Sequence, residues 1–325
     1  MKHISILVPK GAILGSIEGP RQVLQQINNF CKMRGQEPMF NIQLVGIVKE
    51  TPLSGGLFTA HCDLLLDAVT ETDLIIIPAV DGEIKQALEI NKDFIPWIAK
   101  QYKRGAEVAS LCLGAFLLAS TGLLDGRKAA THWLAANEFR AMFPDVDLLA
   151  EKVITDERGI YTSGGAYSYL NLVLYIIEKY AGRESAIMAA KVFAIEIDRN
   201  NQSAFMMFKG QKEHEDDQIR DAQEFIEKNY QEKITVDQLA NMFALGRRNL
   251  ERRFKKATSN TVVEYIQRVK IEAAKMSLET SRENVNEVMY KVGYTDTKAF
   301  RTTFKKITGL SPLEYRNKYN TMAAA

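Results

Sequence analysis

The sequence predicts two domains of different fold class: an α/β domain with a doubly wound parallel sheet, followed by an all-α domain with two helix-turn-helix units. Short apolar runs alternate with helical patterns through the first two thirds of the chain. A motif in the last hundred residues then occurs twice, at a fixed offset. Charge divides in the same way, since residues 1–218 contain 22 Lys and Arg against 27 Asp and Glu, whereas residues 219–325 contain 20 against 13. A basic domain therefore follows an acidic one.

The α/β prediction rests on apolar runs of strand length. Residues 4–8, apolar except for Ser5, and residues 74–77 are apolar runs, each followed by a proline, as expected for strands buried on both faces. Further strands are predicted at 40–48, at 107–111, and near Val153 and Tyr161. Helices are predicted at residues 20–33, opened by Pro20, and at 94–103, 114–120, 134–142, 169–180 and 184–193. Because strands and helices alternate, we expect a parallel sheet with helices on both faces.

Several classes of protein are disfavoured by composition. No run of 18 apolar residues occurs, so no membrane-spanning helix is expected. The first residues have a strand pattern and do not resemble a signal peptide. Cys31, Cys62 and Cys112 are far apart in sequence, which argues against a disulfide framework or a metal site. We expect a cytoplasmic protein without a metal or cofactor.

The last hundred residues contain a duplicated unit. Phe-Lys-Lys at residues 254–256 recurs at 304–306, and Glu-Tyr at 264–265 recurs at 314–315. Matching identities at one offset indicate duplication, and each copy follows the pattern of a helix-turn-helix. The predicted units span residues 234–257 and 284–307. In the first, Thr235 is the predicted N-cap, with Gln238 as its capping-box partner.

Each unit has an apolar face and a basic face on its second helix. Leu250 and Phe254 lie on the apolar face of the first, and Phe300 and Phe304 on that of the second. The opposite faces carry Arg247, Arg248, Asn249, Arg252 and Arg253, and then Lys298, Arg301, Lys305 and Lys306. Such a helix fits the major groove, where Arg and Lys reach guanine or phosphate and Asn reaches adenine. The alternative is a pair of solvated basic faces on a helical domain.

With these features, the segment from about Asp217 to Tyr319 resembles the AraC/XylS DNA-binding domain. The ending Thr-Gly-Leu-Ser-Pro-Leu-Glu-Tyr-Arg at 308–316 is specific to that family, and a long helix at about 262–279 joins the two units. The resemblance implies that the reading helices use Arg247, Arg248, Asn249 and Arg252, and then Thr297, Lys298, Ala299 and Arg301. Lys305 and Lys306 are further expected DNA contacts. Family members often carry Arg where Thr302 stands, which implies weaker DNA binding by the second unit.

An acidic segment at 214–217 separates the two regions. We interpret it as solvated linker. The predicted domains are residues 1–205 and 218–320, joined by a linker at 206–217.

The most suggestive stretch of the first domain is Ser-Leu-Cys-Leu-Gly at residues 110–114. A residue at a sharp strand-to-helix turn is exposed at the carboxyl edge of the sheet. Cys112 would also lie at a helix N-terminus, where the helix dipole favours a thiolate.

The wider stretch resembles the PfpI-like, glutamine-amidotransferase-like domain, in the branch fused to AraC-type domains as in GlxA-type regulators. The matching motifs are Cys-Leu-Gly-Ala-Phe at 112–116, Thr-His-Trp at 131–133, Thr-Ser-Gly-Gly at 162–165 and Gly-Pro at 19–20. This resemblance implies a flavodoxin-like fold. It also implies a ligand pocket formed by Glu18, Cys112, Leu113, His132 and Gly164.

In the enzymatic relatives the cysteine at this turn is the nucleophile, which needs a base or acid and an oxyanion hole. Two departures count against catalysis, which leaves Cys112 as a vestigial candidate. Ser16 stands where many relatives have an acid, and Ala79-Val80 stands where they have Gly-Gly. Alternatives remain for each pocket residue. Cys112 is a pocket wall, a redox-sensitive thiol or a residue that fits the turn; His132 is a pocket or structural histidine; and Glu18 is a pocket, capping or solvated residue.

The predicted function is a sequence-specific transcriptional regulator, an activator, whose first domain senses a small molecule without turning it over and mediates homodimerisation. Its partners would be double-stranded DNA, RNA polymerase and an unidentified effector, an amino acid or amine by the resemblance. Two rivals remain. One is a cysteine-dependent hydrolase or amidase with a DNA-binding tail, and the other is a thiol redox sensor at Cys112.

Overall fold

The chain divides into two units, Met1–Gln202 and Ser203–Ala325. The computed structural model describes residues 1–197, 201–212 and 214–320. Among these residues, no helix is both long enough and apolar enough to cross a membrane.

The first unit alternates strands and helices. Its strands are β1 (Lys2–Leu7), β2 (Phe40–Gly46), β3 (Glu50–Leu53), β4 (Phe58–His61), β5 (Leu64–Leu65), β6 (Leu74–Ile77), β7 (Glu107–Ser110), β8 (Lys128–Ala129), β9 (Asp147–Leu148), β10 (Ile154–Glu157) and β11 (Ile160–Ser163). Its α-helices are α1 (Leu14–Met33), α2 (Ile84–Ile90), α3 (Phe94–Lys103), α4 (Gly114–Ala119), α5 (Ala136–Met142) and α6 (Tyr169–Val192).

Seven strands form one sheet in the order β10-β11-β7-β6-β1-β2-β5. All neighbours are parallel except β10 and β11, which are antiparallel. Five of the parallel strands, in the order β2-β1-β6-β7-β11, have the flavodoxin-like arrangement, with one strand on one side of β1 and three on the other. The predicted fold class is confirmed.

Helices cover both faces of this sheet because the strands are apolar on both sides. Ile4 and Ile6 of β1 pack with α1 and α6 in one core. Leu7 of β1 and Ile75 and Ile77 of β6 pack with α3 and α4 in the other. Successive side chains of a strand point to opposite faces, so a continuous apolar run supplies both cores.

Two local predictions need correction. Helix α1 begins at Leu14, so Pro20 lies inside it and does not open it. A proline in a helix interior loses one backbone hydrogen bond, and burial of its neighbours Ile17, Val23 and Leu24 in the core outweighs that loss. The hairpin of β3 and β4 was not predicted, since Pro52 and the glycines at 55 and 56 obscure its strand pattern.

The second unit is helical. It contains α7 (Asp217–Lys228), α8 (Val236–Met242), α9 (Arg247–Thr258), α10 (Val262–Thr280), α11 (Val285–Lys291), α12 (Thr297–Thr308) and α13 (Pro312–Tyr319). Helices α8–α9 and α11–α12 are the two helix-turn-helix units, within two residues of the predicted bounds. Each unit has its own hydrophobic core, and the long helix α10 contributes to both.

The duplication extends to the helix caps. Thr261 and Glu264 form a reciprocal capping box at α10, and Ser311 and Glu314 form the equivalent one at α13. At α8, Thr235 Oγ1 accepts from the Gln238 N–H at 3.1 Å, which confirms the predicted N-cap. The Gln238 side chain does not complete the box, so the predicted reciprocal partner is wrong.

Part of the predicted linker at 206–217 contacts the helical unit. Phe208 packs against the core of the first helix-turn-helix unit, and Lys212 pairs with Glu227 at 2.6 Å. Asp216 is the N-cap of α7, where its carboxylate accepts from the Ile219 N–H at 3.3 Å. Asp216 is therefore used in capping and, with Arg253, in ion pairing, and the second unit begins at Ser203, before the predicted boundary at 205.

Candidate functional site

The second helix of each helix-turn-helix unit presents a basic face to solvent. Leu250 and Phe254 of α9 are fully buried, as are Phe300 and Phe304 of α12. This burial turns the intervening polar side chains outward. The exposed residues are the predicted set Arg247, Arg248, Asn249, Arg252, Thr297, Lys298, Arg301, Lys305 and Lys306.

The cations of α9 are not equally available. Arg247 pairs with Asp237 at 3.0 Å and with Glu251 at 3.5 Å. Arg252 Nη2 donates to Asn249 Oδ1 at 3.0 Å. In the described ranges, Arg248 makes neither an ion pair nor a hydrogen bond. Among the predicted base-reading residues of α9, Arg248 is therefore the side chain most free to meet a ligand.

Arg253 was predicted to lie on the basic outer face of α9, and this prediction is wrong because its guanidinium is paired within the fold. Its Nε donates to Asp216 Oδ2 at 2.8 Å and its Nη1 donates to Gln218 Oε1 at 2.7 Å. The pair lowers the pKa of the Asp216 carboxyl, mainly through the hydrogen bond from Arg253. Arg253 fastens α9 to the start of α7, so its role in the fold is structural.

The basic face of α12 borders an open depression. Its lining is Arg301, Thr302, Lys305, Lys306 and Ser311. Three cations and two hydroxyl groups there suit an anion, since lysine and arginine neutralise phosphate charge and hydroxyl groups donate to phosphate oxygens. Thr302, the departure from the family pattern, supplies a hydroxyl in place of a cation.

The turn after β7 is as sharp as predicted. Cys112 has φ +54°, in the left-handed region. Two residues on, a Cβ at Gly114 would lie 2.6 Å from both the Ile77 and the Pro78 carbonyl oxygens. The turn thus requires glycine at 114, where the backbone passes against the end of β6.

The prediction that the helix dipole favours a thiolate at Cys112 is wrong. Burial raises the pKa of the Cys112 thiol to about 11, and a hydrogen bond from the Leu113 backbone opposes this only in part. Helix α4 spans only Gly114–Ala119, so its dipole is short, and the thiol is 4% exposed. Desolvation of the charged form therefore dominates.

His132 and Glu18 do not complete a catalytic group with Cys112. His132 Nδ1 accepts from the Leu134 N–H at 3.1 Å, and burial lowers the pKa of this imidazole. Glu18 accepts from Arg21 Nε at 2.6 Å, a bond that lowers the pKa of its carboxyl. In the described part of the chain, no hydrogen bond joins the Cys112 thiol to either side chain.

Three backbone donors around the turn are also occupied. The Cys112 N–H donates to the Ser163 carbonyl oxygen at 3.2 Å, and the Gly114 N–H donates to the Leu111 carbonyl oxygen at 2.8 Å. The Ala79 N–H, at the position where enzymatic relatives have glycine, donates to Ser16 Oγ at 3.0 Å. An oxyanion hole needs such donors to be free and directed at the substrate.

Buried residues that the sequence did not single out surround the turn. Thr131 Oγ1 donates to the Cys112 carbonyl oxygen at 3.0 Å. Gln202 Nε2 donates to the carbonyl oxygens of Thr131 at 3.0 Å and Ala150 at 2.7 Å. This amide occupies the place of a Gly164 side chain, so Gly164 provides room for Gln202. Thr131 belongs to a recognised motif, but no sequence signal indicates Gln202.

We predict that Cys112 resists alkylation at neutral pH. With a pKa of about 11, the thiolate fraction at pH 8 is about one in a thousand. Burial also limits access of the reagent, so alkylation should be slower still. Mass spectrometry of iodoacetamide-treated protein across pH 7–10 should show Cys31, which is half-buried, modified well before Cys112. Buried Cys62, whose thiol pKa burial also raises, is the matched control. Modification of Cys112 at pH 7 as fast as that of Cys31 would contradict the assigned burial.

Fold and exposed basic helices define a protein of the helix-turn-helix class, and comparisons with known proteins agree. A helix-turn-helix domain family matches residues 239–318, and the DJ-1/PfpI family matches residues 37–179. The HTH-type transcriptional regulator GbdR of Pseudomonas aeruginosa is 25% identical over 245 residues, which cover 74% of this chain and 66% of GbdR, just under two thirds. The HTH-type transcriptional regulator ArgR of the same species is 27% identical over 259 residues, which cover 79% of this chain and 74% of ArgR.

A solved structure shows the same fold. The crystal structure of a THiJ/PfpI family protein from Pseudomonas syringae superimposes with a TM-score of 0.51 at 17% identity, covering 70% of this chain and 86% of that one. The chain thus combines an N-terminal domain of the DJ-1/PfpI family with a C-terminal helix-turn-helix domain of AraC type.

Proposed function

We propose that the protein is a sequence-specific DNA-binding activator of transcription whose N-terminal unit senses a small molecule without turning it over. One observation carries this proposal: two duplicated helix-turn-helix units expose a basic face on the helix that would enter the major groove. Arg248 and Arg301 are assigned to base contacts. Lys305 and Lys306 are assigned to phosphate.

The two units suit two neighbouring segments of one DNA face. Helix α10 joins them, and its 19 residues extend about 28 Å. Major grooves on one face of DNA recur about every 34 Å, so α9 and α12 would read two boxes about 10 base pairs apart. A homodimer, assembled through the N-terminal units, would require this pair of boxes in repeat. We further propose that the protein contacts RNA polymerase and acts in the cytoplasm.

Three observations support a sensor without catalysis. The Cys112 thiol stays protonated at neutral pH, His132 and Glu18 are bound to other partners, and the Cys112, Gly114 and Ala79 N–H groups donate to other acceptors. The DJ-1/PfpI fold also includes enzymes, so a cysteine-dependent hydrolase is the rival activity. We place the effector at the carboxyl edge of the sheet, near Cys112, Leu113 and Gly164, where flavodoxin-like folds bind ligands. An amino acid or amine is the class expected from the family resemblance.

This function can be tested by selecting the fragments of the source organism's genomic DNA that the protein binds. Purified protein is used at near-physiological salt, with and without a metabolite mixture. We expect a few promoters that share a two-block motif, with a recovery that the mixture alters. Recovery of no enriched fragment in either condition would contradict the proposal. The enzymatic rival would be supported if the protein showed turnover that Cys112→Ser abolished. The redox rival would be supported if an oxidant changed the DNA affinity only when Cys112 was present.

We predict that Lys305→Ala weakens binding to all DNA sequences alike. A phosphate contact carries no base information, so specific and random duplexes should lose equal affinity. The slope of log affinity against log salt should flatten by about one unit for each lost contact. Fluorescence anisotropy at several salt concentrations measures both quantities. Lys85→Ala, an exposed charge removal in the N-terminal unit, is the control and should leave the slope unchanged.

A further inference from the structure

Helix α10 carries a buried lysine where it passes from one hydrophobic core to the next. Tyr265 and Ile266 belong to the core of the first helix-turn-helix unit, whereas Ile271 and Ala274 belong to that of the second. Lys270 lies at this junction and is only 8% exposed. A buried ammonium group is unfavourable unless its donors are paired, so its partners explain its position.

Those partners are backbone groups from both units. Lys270 Nζ donates to the Glu232 carbonyl oxygen at 3.3 Å, in the loop that leads from α7 into the first unit. It also donates to the Gly293 carbonyl oxygen at 3.1 Å, in the turn of the second unit. The same Nζ lies 5.6 Å from the centre of the Tyr294 ring. An ammonium group has three donors and no acceptor, so one side chain satisfies both carbonyls and faces the ring.

The two backbone segments approach each other closely at this point. Gly293 has φ +75°, and a Cβ there would collide with the Gln231 carbonyl oxygen and crowd Lys270 Nζ. Tyr230, in the same loop as Gln231, packs against the core of the second unit. The junction therefore consists of α10, the loop between α7 and α8, and the turn between α11 and α12. Lys270 of α10 is hydrogen-bonded to both the loop and the turn.

We propose that Lys270 is a positioning residue that sets the separation and angle of α9 and α12, and so the spacing of the two DNA boxes. This inference rests on the proposed function. Within the described residues, α10 is the helix that contributes to both cores, and a rotation about that helix would move α12 relative to α9. With Lys270 in place, the protein accepts one spacing. Without it, the units reorient and several spacings become acceptable.

A measurement without DNA tests the positioning role directly. Spin labels are attached to the full chain through Lys256→Cys and Lys306→Cys, equivalent exposed positions of α9 and α12, in a Cys31→Ser background. Double electron–electron resonance then gives the distribution of distances between them. We expect one narrow distribution for the parent protein, a broader one for Lys270→Met, and a narrow one again for Lys270→Arg, which retains the charge and the donors.

Lys275→Met is the matched control. Lys275 is also buried on α10, at 3% exposure, but its Nζ donates to Glu272 at 2.8 Å and to the Met206 carbonyl oxygen at 2.5 Å. Its loss should lower stability without broadening the distribution. If Lys270→Met does not fold, Lys270→Gln retains a polar donor and should give an intermediate width. A folded Lys270 variant with the parent's narrow distribution would overturn the proposal.

The consequence for DNA is measured by selection from a randomised duplex library. The parent should enrich two boxes at a single spacing. Lys270→Met should enrich a spread of spacings, and its preference for the parent's spacing over one longer by half a helical turn should fall at least about tenfold, or about 1.4 kcal/mol. Retention of a single spacing by Lys270→Met would refute the inference. If the parent enriches no sequence, the proposed function fails, and the distance distributions still decide the role of Lys270.

Discussion

Replacement of Arg248 and Arg301 together by alanine is expected to abolish sequence-specific DNA binding and to leave the fold intact. One side chain lies on α9 and the other on α12, both exposed, and neither is paired within the described residues. A bidentate contact to guanine contributes about 1–3 kcal/mol of discrimination, and separated positions add, so the double variant should lose about 2–6 kcal/mol. Titration of selected and random duplexes in a gel-shift assay measures the loss.

Two further variants separate the causes of that loss. Arg248→Lys with Arg301→Lys retains the charge but not the planar fork, so binding to random DNA should persist while specificity falls. Arg253→Ala should instead lower stability, because it leaves the carboxylate of Asp216 without its main partner. If the double alanine variant retains both the preferred sequence and the affinity, α9 and α12 are not the reading helices.

The second large effect is expected at the cysteine turn, where Gly114→Ala should destabilise the N-terminal unit by about 3 kcal/mol. The added Cβ would lie 2.6 Å from two backbone carbonyl oxygens at the end of β6, and neither can retreat without disturbing the sheet. Calorimetry of the full chain should show an earlier unfolding transition for this unit. DNA affinity measured well below that transition should remain unchanged.

Gly15→Ala is the matched control for that substitution. Gly15 lies in the first turn of α1, and a Cβ there would meet only the Tyr169 hydroxyl, at an ordinary 3.8 Å. Alanine favours the helix, so stability should stay the same or rise by about 0.4–1 kcal/mol. Equal stability of the Gly114→Ala and parent proteins would show that the turn is looser than the structure indicates.

Most of the fold follows from local sequence patterns. The buried runs of β1 and β6 and the alternation of strands and helices predict the doubly wound sheet, and the duplicated motif predicts both helix-turn-helix units within two residues. The start of α1 was missed because Pro20 is a strong local signal, whereas burial of that helix against the sheet is not a local property. The hairpin of β3 and β4 was missed because Pro52 and the glycines at 55 and 56 obscure its strand pattern.

The candidate sites were less predictable, because distant partners decide the state of each side chain. Periodicity places Arg248 and Arg253 alike on the outer face of α9, and Asp216 and Gln218, far back in the sequence, distinguish them. A short helix after Cys112 suggests a thiolate, but burial by the surrounding elements raises the pKa of the thiol. Lys270 appears in the sequence as one more polar residue on a long helix, since its acceptors lie in two distant loops.

We propose that one chain reads two neighbouring major-groove segments with α9 and α12. Methylation interference on the selected DNA can show this, because it reports guanine N7 in the major groove. We predict two clusters of interfering guanines about 10 base pairs apart, of which Arg248→Ala removes part of one and Arg301→Ala part of the other. A single cluster, or the same pattern in both variants and the parent, would contradict the account.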